Sequence, residues 1–311
     1  MCSTFAIWHA IQVKMKKNIV PINKTYAAID IGSNTVQLLL AECDESGKIV
    51  GRRNYLCTTK LGDCAEDRSL TETAMNATAE AVAGFCEKIK AAGTRGTRIL
   101  ATSAVRDAAN RQVLLDKLAQ VTDIKTEILT GEEEAMLAYA GACSSLSVGS
   151  GVPVIDSGGS STEMICALPE GPIIATSMNV GAVRAHRGSW SDDEIYAKLA
   201  EGIGDCCTKK EIIGVGGTIT TIAGVIAGIQ KYDRSVVEGM VLLPSQLEKL
   251  LEQLEPLSIA ERCAFSPLLA RRGEIIREGL VIWRSLMKIL HSEKIVVCGG
   301  GILDGAIQSM L

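Results

Sequence analysis

The stretches Asp30-Ile-Gly-Ser-Asn-Thr35 and Asp156-Ser-Gly-Gly-Ser-Ser-Thr162 decide the fold. Each comes at the end of a short apolar run that finishes in the aspartate, and each is followed by more apolar sequence. This is the pattern of two strands joined by a polar turn. Because the same pattern occurs once in each half of the chain, we interpret the stretches as two copies of one device. They predict two related α/β halves that face each other.

Strands and helices alternate around both stretches, which also indicates an α/β fold. Glycine or proline positions and capping signals set the expected ends of the helices. The predicted strands, beside the two that flank each turn, are 49–57, 98–102, 125–129, 173–180, 211–215 and 295–298. The predicted helices are one that ends at Gly93, one over roughly 106–120, one opened by Thr130, a long one over 272–291 and a terminal one.

Two domains and an extension follow from this order. Residues 1–24 are an N-terminal extension for which the sequence argues no function. Residues 25–145 form the first domain, and the C-terminal helix 302–311 is a candidate for completing it. Residues 146–311 form the second domain, after the Ser/Gly-rich connection Ser144 to Gly151.

Composition limits the classes of partner. The chain has 311 residues, 47% of them hydrophobic, and a net charge of −4 with no block of like charges, so neither DNA nor an anionic membrane is an expected partner. Aromatic residues make up only 4%, too few for stacking along a single nucleic-acid strand. No apolar run is long enough to span a membrane. The 11 cysteines contain no C-x-x-C pair and predict reduced thiols in a cytoplasmic protein.

Glycine-rich strand ends are the strongest chemical signal. An aspartate beside a loop of open backbone N–H groups can hold a cation while the loop binds a phosphate. Gly214-Val-Gly-Gly-Thr218 and Cys298-Gly-Gly-Gly301 add two further strand ends of this kind. No Walker-type loop and no G-x-G-x-x-G is present, and the three histidines stand far apart. The sequence therefore predicts an extended phosphate chain as ligand and a carboxylate as any catalytic base.

Glu134 is the candidate base. Thr130-x-x-Glu133 is the pattern of a capping box, which would occupy Glu133 and leave Glu134 free to deprotonate a water. The alternative is that Glu132, Glu133 and Glu134 merely complement the helix dipole. Arg106 and Arg272 are candidate phosphate clamps, with ordinary surface charges as their alternative.

In these residues the chain resembles the exopolyphosphatase/guanosine pentaphosphate phosphohydrolase family, in its short two-domain form, within the actin-like ATPase superfamily. Motifs that resemble those of the family occur in the family's order from about Tyr26 to the C-terminus. The motifs, besides the two stretches quoted first, are Ala101-Thr-Ser-Ala-Val-Arg-Asp107, Gly131-Glu-Glu-Glu-Ala135, Asn179-Val-Gly-Ala-Val-Arg184, Gly214-Val-Gly-Gly-Thr218 and Arg272-Gly-Glu-Ile-Ile.

The resemblance implies two actin-like (ribonuclease H-like) domains with the active site in the cleft between them. It implies removal of terminal phosphate from inorganic polyphosphate or from pppGpp, with Mg²⁺ or another divalent cation as cofactor. A homodimer is one of the oligomeric states that the sequence leaves open. The implied catalytic residues are Glu134, Glu163, Arg106 and Arg272, and the implied metal ligands are Asp30, Asp156 and Glu163. The implied phosphate-binding residues are Gly32, Ser33, Asn34, Thr35, Gly158, Gly159, Ser160, Ser161, Thr162, Gly216 and Gly217.

Three positions depart from the family's pattern. Ser157 replaces an isoleucine, Gln37 stands where many members carry arginine, and Ser160 replaces a glycine. We expect the Ser160 side chain to crowd the phosphate or to restrict a backbone that needs positive φ, with a cost in activity. Two other functions stay open at this point, a kinase of the same superfamily and a non-catalytic nucleotide or alarmone sensor.

Overall fold

Two β-sheets that share an order of five strands form the framework, and the second sheet has a sixth, antiparallel strand at its edge. The computed structural model describes residues 24–62, 69–146, 148, 151–167, 173–203 and 210–311. The strands are β1 Lys24–Ile31, β2 Thr35–Cys43, β3 Ile49–Thr58, β4 Gly96–Ala101, β5 Thr126–Ile128, β6 Val154–Ser157, β7 Thr162–Ala167, β8 Ile173–Met178, β9 Glu211–Val215, β10 Val241–Leu242 and β11 Lys294–Val297. The first sheet has the order β3-β2-β1-β4-β5, and the second has the order β10-β11-β9-β6-β7-β8. In both sheets three antiparallel neighbours, β1 to β3 or β6 to β8, are extended by parallel strands on the other side of the first one. The repeat predicted from the two turn sequences is therefore present in the topology.

The helices are α1 Glu72–Ala92, α2 Ser103–Arg106, α3 Arg111–Val121, α4 Gly131–Ser145, α5 Ala182–Arg187, α6 Asp192–Ile203, α7 Gly217–Ile226, α8 Arg234–Val237, α9 Pro244–Leu254, α10 Ile259–Phe265, α11 Ile276–Ile289 and α12 Ile302–Gln308. A 3-10 turn covers Pro267–Leu269.

Strand alternation gives each sheet one face toward a shared helical layer. In the first sheet, Tyr26, Ala28 and Leu39 pack against the C-terminal helix α12. In the second sheet, Val154 and Ile165 belong to one core cluster with the alanines of α4. The pair α4 and α12 therefore lies between the sheets, with α12 on the first sheet and α4 on the second. The opposite faces of the sheets are covered by α1 and α3 and by α6, α7, α9 and α11.

Two predicted helices are wrong in their extent. The helix over roughly 106–120 is two helices, α2 and α3, because Asn110 between them turns its side chain to the backbone of Leu70, at 2.8 and 3.0 Å. The long helix begins at Ile276 rather than at 272, after the turn that carries Arg272. The helix with its stop at Gly93 is confirmed, since Gly93 has φ +61° at the C-cap of α1.

The predicted extension 1–24 lies outside the described residues except for Lys24, which begins β1. Positions 147, 149 and 150 of the predicted connection, and the cysteine pair Cys206 and Cys207, also lie outside them. Seven cysteines are described, and all of them are free thiols. None of the described helices is both long and apolar enough to cross a bilayer.

Candidate active site

Both aspartate turns open into one cavity of about 590 Å³ between the sheets. Asp30 pairs with Gln37, so it shares the face of the first sheet that is turned toward α4 and α12. Asp156 pairs with Glu163 on the face of the second sheet that is turned toward α4. Because alternate side chains of a strand lie on the same face of its sheet, Asp30, Asp156 and Glu163 all face the same helical layer.

Of the predicted site residues, the structure brings most into the wall of this cavity. They are Asp30, Gly32, Ser33, Asn34, Thr35, Glu134, Asp156, Gly158, Gly159, Ser161, Glu163, Gly216, Gly217 and Arg272. Three others, Ser160, Thr162 and Arg106, do not line it. Thr162 is fully buried, and its hydroxyl donates to the carbonyl of Val180 at 2.6 Å.

The two turns touch each other at their tips. In the first turn, the Gly32 N–H donates to the carbonyl of Thr35 at 3.0 Å, which closes the loop. A Cβ on Gly159 of the second turn would overlap Ser33 Oγ of the first, so the loops fit together only because Gly159 has no side chain. The site therefore spans both domains.

The second turn is fixed by the segment around α5. The Gly158 N–H donates to the Ser161 carbonyl at 2.9 Å, while the N–H and Nε of Arg184 donate to the carbonyls of Gly159 and Ser160 at 2.9 and 2.8 Å. Among the described residues only Lys60, Ser189 and His291 combine a side chain with positive φ. The expected strain at Ser160 is therefore absent. The expected crowding of the phosphate stays a prediction, and the Ser160 side chain is buried and does not line the cavity.

Glu134 stands in the first turn of α4. Thr130 and Glu133 form the predicted capping box, so Glu133 is occupied at the helix end. Glu134 is 7% exposed and accepts a hydrogen bond from Arg106 Nη1, which also donates to the Leu129 carbonyl at 2.7 Å. Burial raises the pKa of Glu134 to about 7, against the lowering effect of Arg106. The alternative, that the glutamates merely complement the dipole, does not account for a buried carboxylate held by an arginine.

Arg106 therefore contacts the candidate base instead of lining the cavity. It is the last residue of the short helix α2, whereas the sequence predicted it at the start of a long one. Its neighbour Asp107 forms an ion pair with Arg184 at 2.8 Å. Because Arg184 also holds Ser160, this pair joins the Glu134 side of the cleft to the second turn. Asp107 and Arg184 each end a motif quoted in the sequence analysis, but neither was predicted as a site residue.

Three further carboxyl groups are buried near Glu134. Burial, together with the charges of Glu134 and Asp156, raises the pKa of Asp30 to about 8. Burial raises the pKa of Asp156 to about 6. The pKa of Glu163 is raised by burial and then by Glu134 and Asp156, although Ser177 Oγ donates to its Oε1 at 2.8 Å. These carboxylates destabilise one another's charged forms, which a bound cation would relieve.

The donor set fits a hard divalent cation. Asp30 Oδ1 is buried without a hydrogen-bond partner, and carboxylate oxygens are the ligands that Mg²⁺ prefers. In the part of the chain that the structure describes, no three His, Cys, Asp or Glu side chains are arranged to hold a metal by themselves. This is compatible with Mg²⁺, which usually takes one or two carboxylates and completes its shell with substrate phosphates and water.

The start of α7 lies beside Asp156 and Arg272. Gly216 has φ +97° and lies so close to Asp156 Oδ1 that a Cβ there would sit 2.5 Å from it. A Cβ on Gly217 would overlap the guanidinium of Arg272, so this arginine lies directly against the helix N-terminus. Backbone N–H groups and a guanidinium together favour a phosphate group at this point.

The other end of the cavity was not predicted from the sequence. Asp304 of α12 pairs with Arg52 of β3 and lies 3.5 Å from Arg234 of the second domain. Arg234 also donates to Glu238 and to Ser145 Oγ, at 2.6 and 2.7 Å. This network ties the first sheet, α12 and the second domain together beside the cavity.

Comparisons with known proteins agree with this geometry. A model of the Ppx/GppA phosphatase family matches residues 48–311. The chain belongs to the Ppx/GppA phosphatase family. The family resemblance in the sequence is thereby confirmed.

Two curated family members show the range of relatives. Exopolyphosphatase 2 of Mycobacterium tuberculosis (strain ATCC 25618 / H37Rv) is 27% identical over 314 residues, which cover 91% of this chain and 98% of that protein. Guanosine-5'-triphosphate,3'-diphosphate pyrophosphatase of Vibrio parahaemolyticus is 27% identical over 304 residues, which cover 92% of this chain. The match spans only 59% of that second relative's length.

Solved structures of the family confirm the fold. An exopolyphosphatase-like protein aligns with a TM-score of 0.83 at 27% identity over 92% of this chain and 98% of the other. A Ppx/GppA family member from Aquifex aeolicus aligns with a TM-score of 0.75 at 26% identity, over 92% and 97%. The expected two-domain α/β fold is therefore that of the Ppx/GppA family.

Proposed function

We propose that this chain hydrolyses the terminal phosphoanhydride bond of inorganic polyphosphate or of pppGpp and releases orthophosphate. The observation that carries the proposal is the convergence of two strand-end turns and a buried glutamate on one cavity. The glutamate, Glu134, has a pKa near neutrality, as a general base that works at neutral pH requires. Relatives named exopolyphosphatase and guanosine-5'-triphosphate,3'-diphosphate pyrophosphatase support it.

The loops and the start of α7 would bind consecutive phosphate groups. Residues 33–35 and Gly159 and Ser161 of the two turns would offer backbone N–H groups, and Gly216 and Gly217 would allow the backbone to come close to the phosphate oxygens. Arg272 would stabilise charge on the equatorial oxygens of the terminal group. It lines the cavity, and no ion pair ties it to an acid among the described residues.

Glu134 would orient the attacking water and accept its proton. The water oxygen forms a bond to the terminal phosphorus while the bond from phosphorus to the bridging oxygen breaks. The shortened phosphate chain leaves with that oxygen and the bonding electron pair. Arg106 would keep the Glu134 carboxylate in place and favour its ionised form.

Asp30 and Asp156 would hold Mg²⁺ or another divalent cation, with Glu163 beside them. Their buried, mutually repelling carboxyl groups and the unpartnered Asp30 Oδ1 support this assignment. The cation, when bound, supplies positive charge that neutralises the phosphate oxygens. We also propose a cytoplasmic location, which the free thiols of the described cysteines support.

Between the two substrates we favour pppGpp. The cavity wall contains Leu56 and Tyr232, which are large, 45% and 44% exposed, and suited to a nucleoside rather than to a phosphate chain. The same wall has three arginines, at positions 234, 271 and 272, against five carboxylates, which does not suit a long polyanion. Comparing kcat/KM on pppGpp and on long-chain polyphosphate tests this preference.

The test of the function itself is phosphate release in the absence of an acceptor. With Mg²⁺ present, we expect orthophosphate to be released from pppGpp or polyphosphate without any added sugar or acid. Release that depends on an acceptor would indicate a kinase. Binding of either substrate without release would indicate a sensor, and either result would overturn the proposal.

A further inference from the structure

A second cavity, of about 270 Å³, borders the first aspartate turn, residues 30–35. Among the described residues its wall consists of Ser33, Asn34, Lys60, Val183, His186, Arg187, Glu274 and Ile275. Three of them, Ser33, Asn34 and Ile275, also line the main cavity. The two cavities are therefore neighbours that share one wall, and Ser33 and Asn34 of the first turn belong to that wall.

The shared wall contains a hydrogen-bond donor without an acceptor. Asn34 Nδ2 is buried and has no partner, although its backbone carbonyl accepts from Thr59 and Lys60 at 3.2 and 3.1 Å. A buried amide group without a partner is unfavourable, and it gains a hydrogen bond when an oxyanion comes beside it. Ser33, at the same wall, is 5% exposed and adds a hydroxyl.

Two cations belong to the second cavity. Among the described residues its wall contains Lys60, Arg187 and the carboxylate of Glu274, and Arg187 Nη1 also donates to the Gly62 carbonyl. An anion at the shared wall is therefore close to two cationic side chains.

Glu274 already occupies the place of an anion in the second cavity. Its Oε2 lies 2.6 Å from Lys60 Nζ, and its Oε1 lies 3.8 Å from His186 Nε2. The side chains of Lys60 and Glu274 are 48% and 42% exposed, so the pair is weak and can exchange partners. An incoming oxyanion can replace the carboxylate of Glu274 beside Lys60.

We propose that the second cavity binds the orthophosphate that is released in the main cavity. This inference rests on the proposed function, because it requires orthophosphate as the product. Phosphate that moves past Ser33 and Asn34 leaves the rest of the substrate in the main cavity. The product then reaches solvent beside Lys60 and Arg187 without passing the remaining substrate.

Opposite changes of charge at one pair test the proposal. Glu274→Gln removes the competing carboxylate and should lower the inhibition constant of orthophosphate, whereas Lys60→Met should raise it, each by about two- to fivefold. The control is Glu211→Gln, which breaks the Lys294–Glu211 pair of the same length, 2.6 Å, and similar exposure outside both cavities. The rate of phosphate release, measured with a fluorescent phosphate reporter, should change relative to the rate of bond cleavage, measured by rapid quench. This change should occur in Glu274→Gln and Lys60→Met but not in the control.

Direct titration with inorganic phosphate separates the possible failures. If the wild type cleaves neither substrate but binds phosphate less tightly after Lys60→Met, the proposed function fails and the anion site stands. If the wild type cleaves substrate while both variants keep its phosphate affinity and its ratio of release to cleavage, the second cavity is not a product site. Equal changes in the control and in the two variants would also overturn the inference.

Discussion

Replacing Arg106 by methionine tests whether this arginine keeps Glu134 ionised. Arg106 Nη1 donates to Glu134 Oε2, and the two side chains are only 22% and 9% exposed. A hydrogen bond to a charged group contributes about 1.5–3 kcal/mol, and one pKa unit corresponds to about 1.36 kcal/mol. The pKa of Glu134, about 7 with Arg106 in place, should therefore rise by about one to two units.

The rate at neutral pH should fall accordingly. A base is active in its charged form, and the loss of a cation disfavours that form, so the acid limb of the pH profile moves to higher pH. At pH 7 the ionised fraction falls from about half to about 1–10%, which predicts a loss of about 5- to 50-fold in kcat/KM. The loss should largely disappear above about pH 9.

The assay is the pH profile of phosphate release for the wild type and for Arg106→Met. Arg98→Met is the control, because it breaks a 2.7 Å pair with Glu127 that does not line the cavity. An acid limb that stays at the wild-type pH in Arg106→Met would refute the reasoning. A loss of equal size at every pH would refute it as well, since that would indicate a structural defect.

Three further outcomes are expected. Asp107→Asn and Arg184→Met should each lower kcat. The double variant should lose less activity than the two single losses combined, with a coupling energy of about 0.5–1 kcal/mol in a double-mutant cycle. Fully additive losses would show that the pair has no joint role. Gly217→Ala places a Cβ against the guanidinium that faces the start of α7 and should raise KM about tenfold or more, whereas the control Gly84→Ala, which has open space around it, should leave KM unchanged. The pKa of Asp30 is raised to about 8, so its ionisation opposes folding increasingly as pH rises from about 4 to 8. Asp30→Asn should therefore increase the unfolding free energy at pH 7 by up to about 4 kcal/mol, which raises the melting temperature, and should change it little at pH 4. Mg²⁺ should then stabilise the wild type more than Asp30→Asn, and equal stabilisation would argue against Asp30 as a ligand.

Local patterns predicted the framework well because they depend on few residues. Apolar runs that end in an aspartate and a glycine-rich turn gave both β-hairpins and placed Asp30 and Asp156 at strand ends. The capping pattern of Thr130 and Glu133 predicted that Glu133 is occupied at the helix end and that Glu134 is free, and the structure has that capping box. In each case the spacing of the residues along the chain determines which side chain is left free.

Tertiary contacts account for most of what the sequence did not show. Asn110 interrupts the expected helix by bonding the backbone of Leu70, which lies 40 positions away. Arg106 is placed at Glu134 by the packing of a short helix, and Arg184 reaches Asp107 across 77 positions. Spacing along the chain contains no information on such pairs. The expected strain at Ser160 was wrong because the backbone there does not adopt the positive φ that glycine would tolerate.

The central claim is that Glu134 activates the attacking water. Initial rates of orthophosphate release from pppGpp and from polyphosphate should be measured for the wild type, for Glu134→Gln and for Glu132→Gln, an exposed glutamate of the same helical turn. We expect Glu134→Gln to lower kcat by about 10²–10⁴-fold while Glu132→Gln retains the wild-type rate. Equal rates in Glu134→Gln and the wild type would contradict the claim.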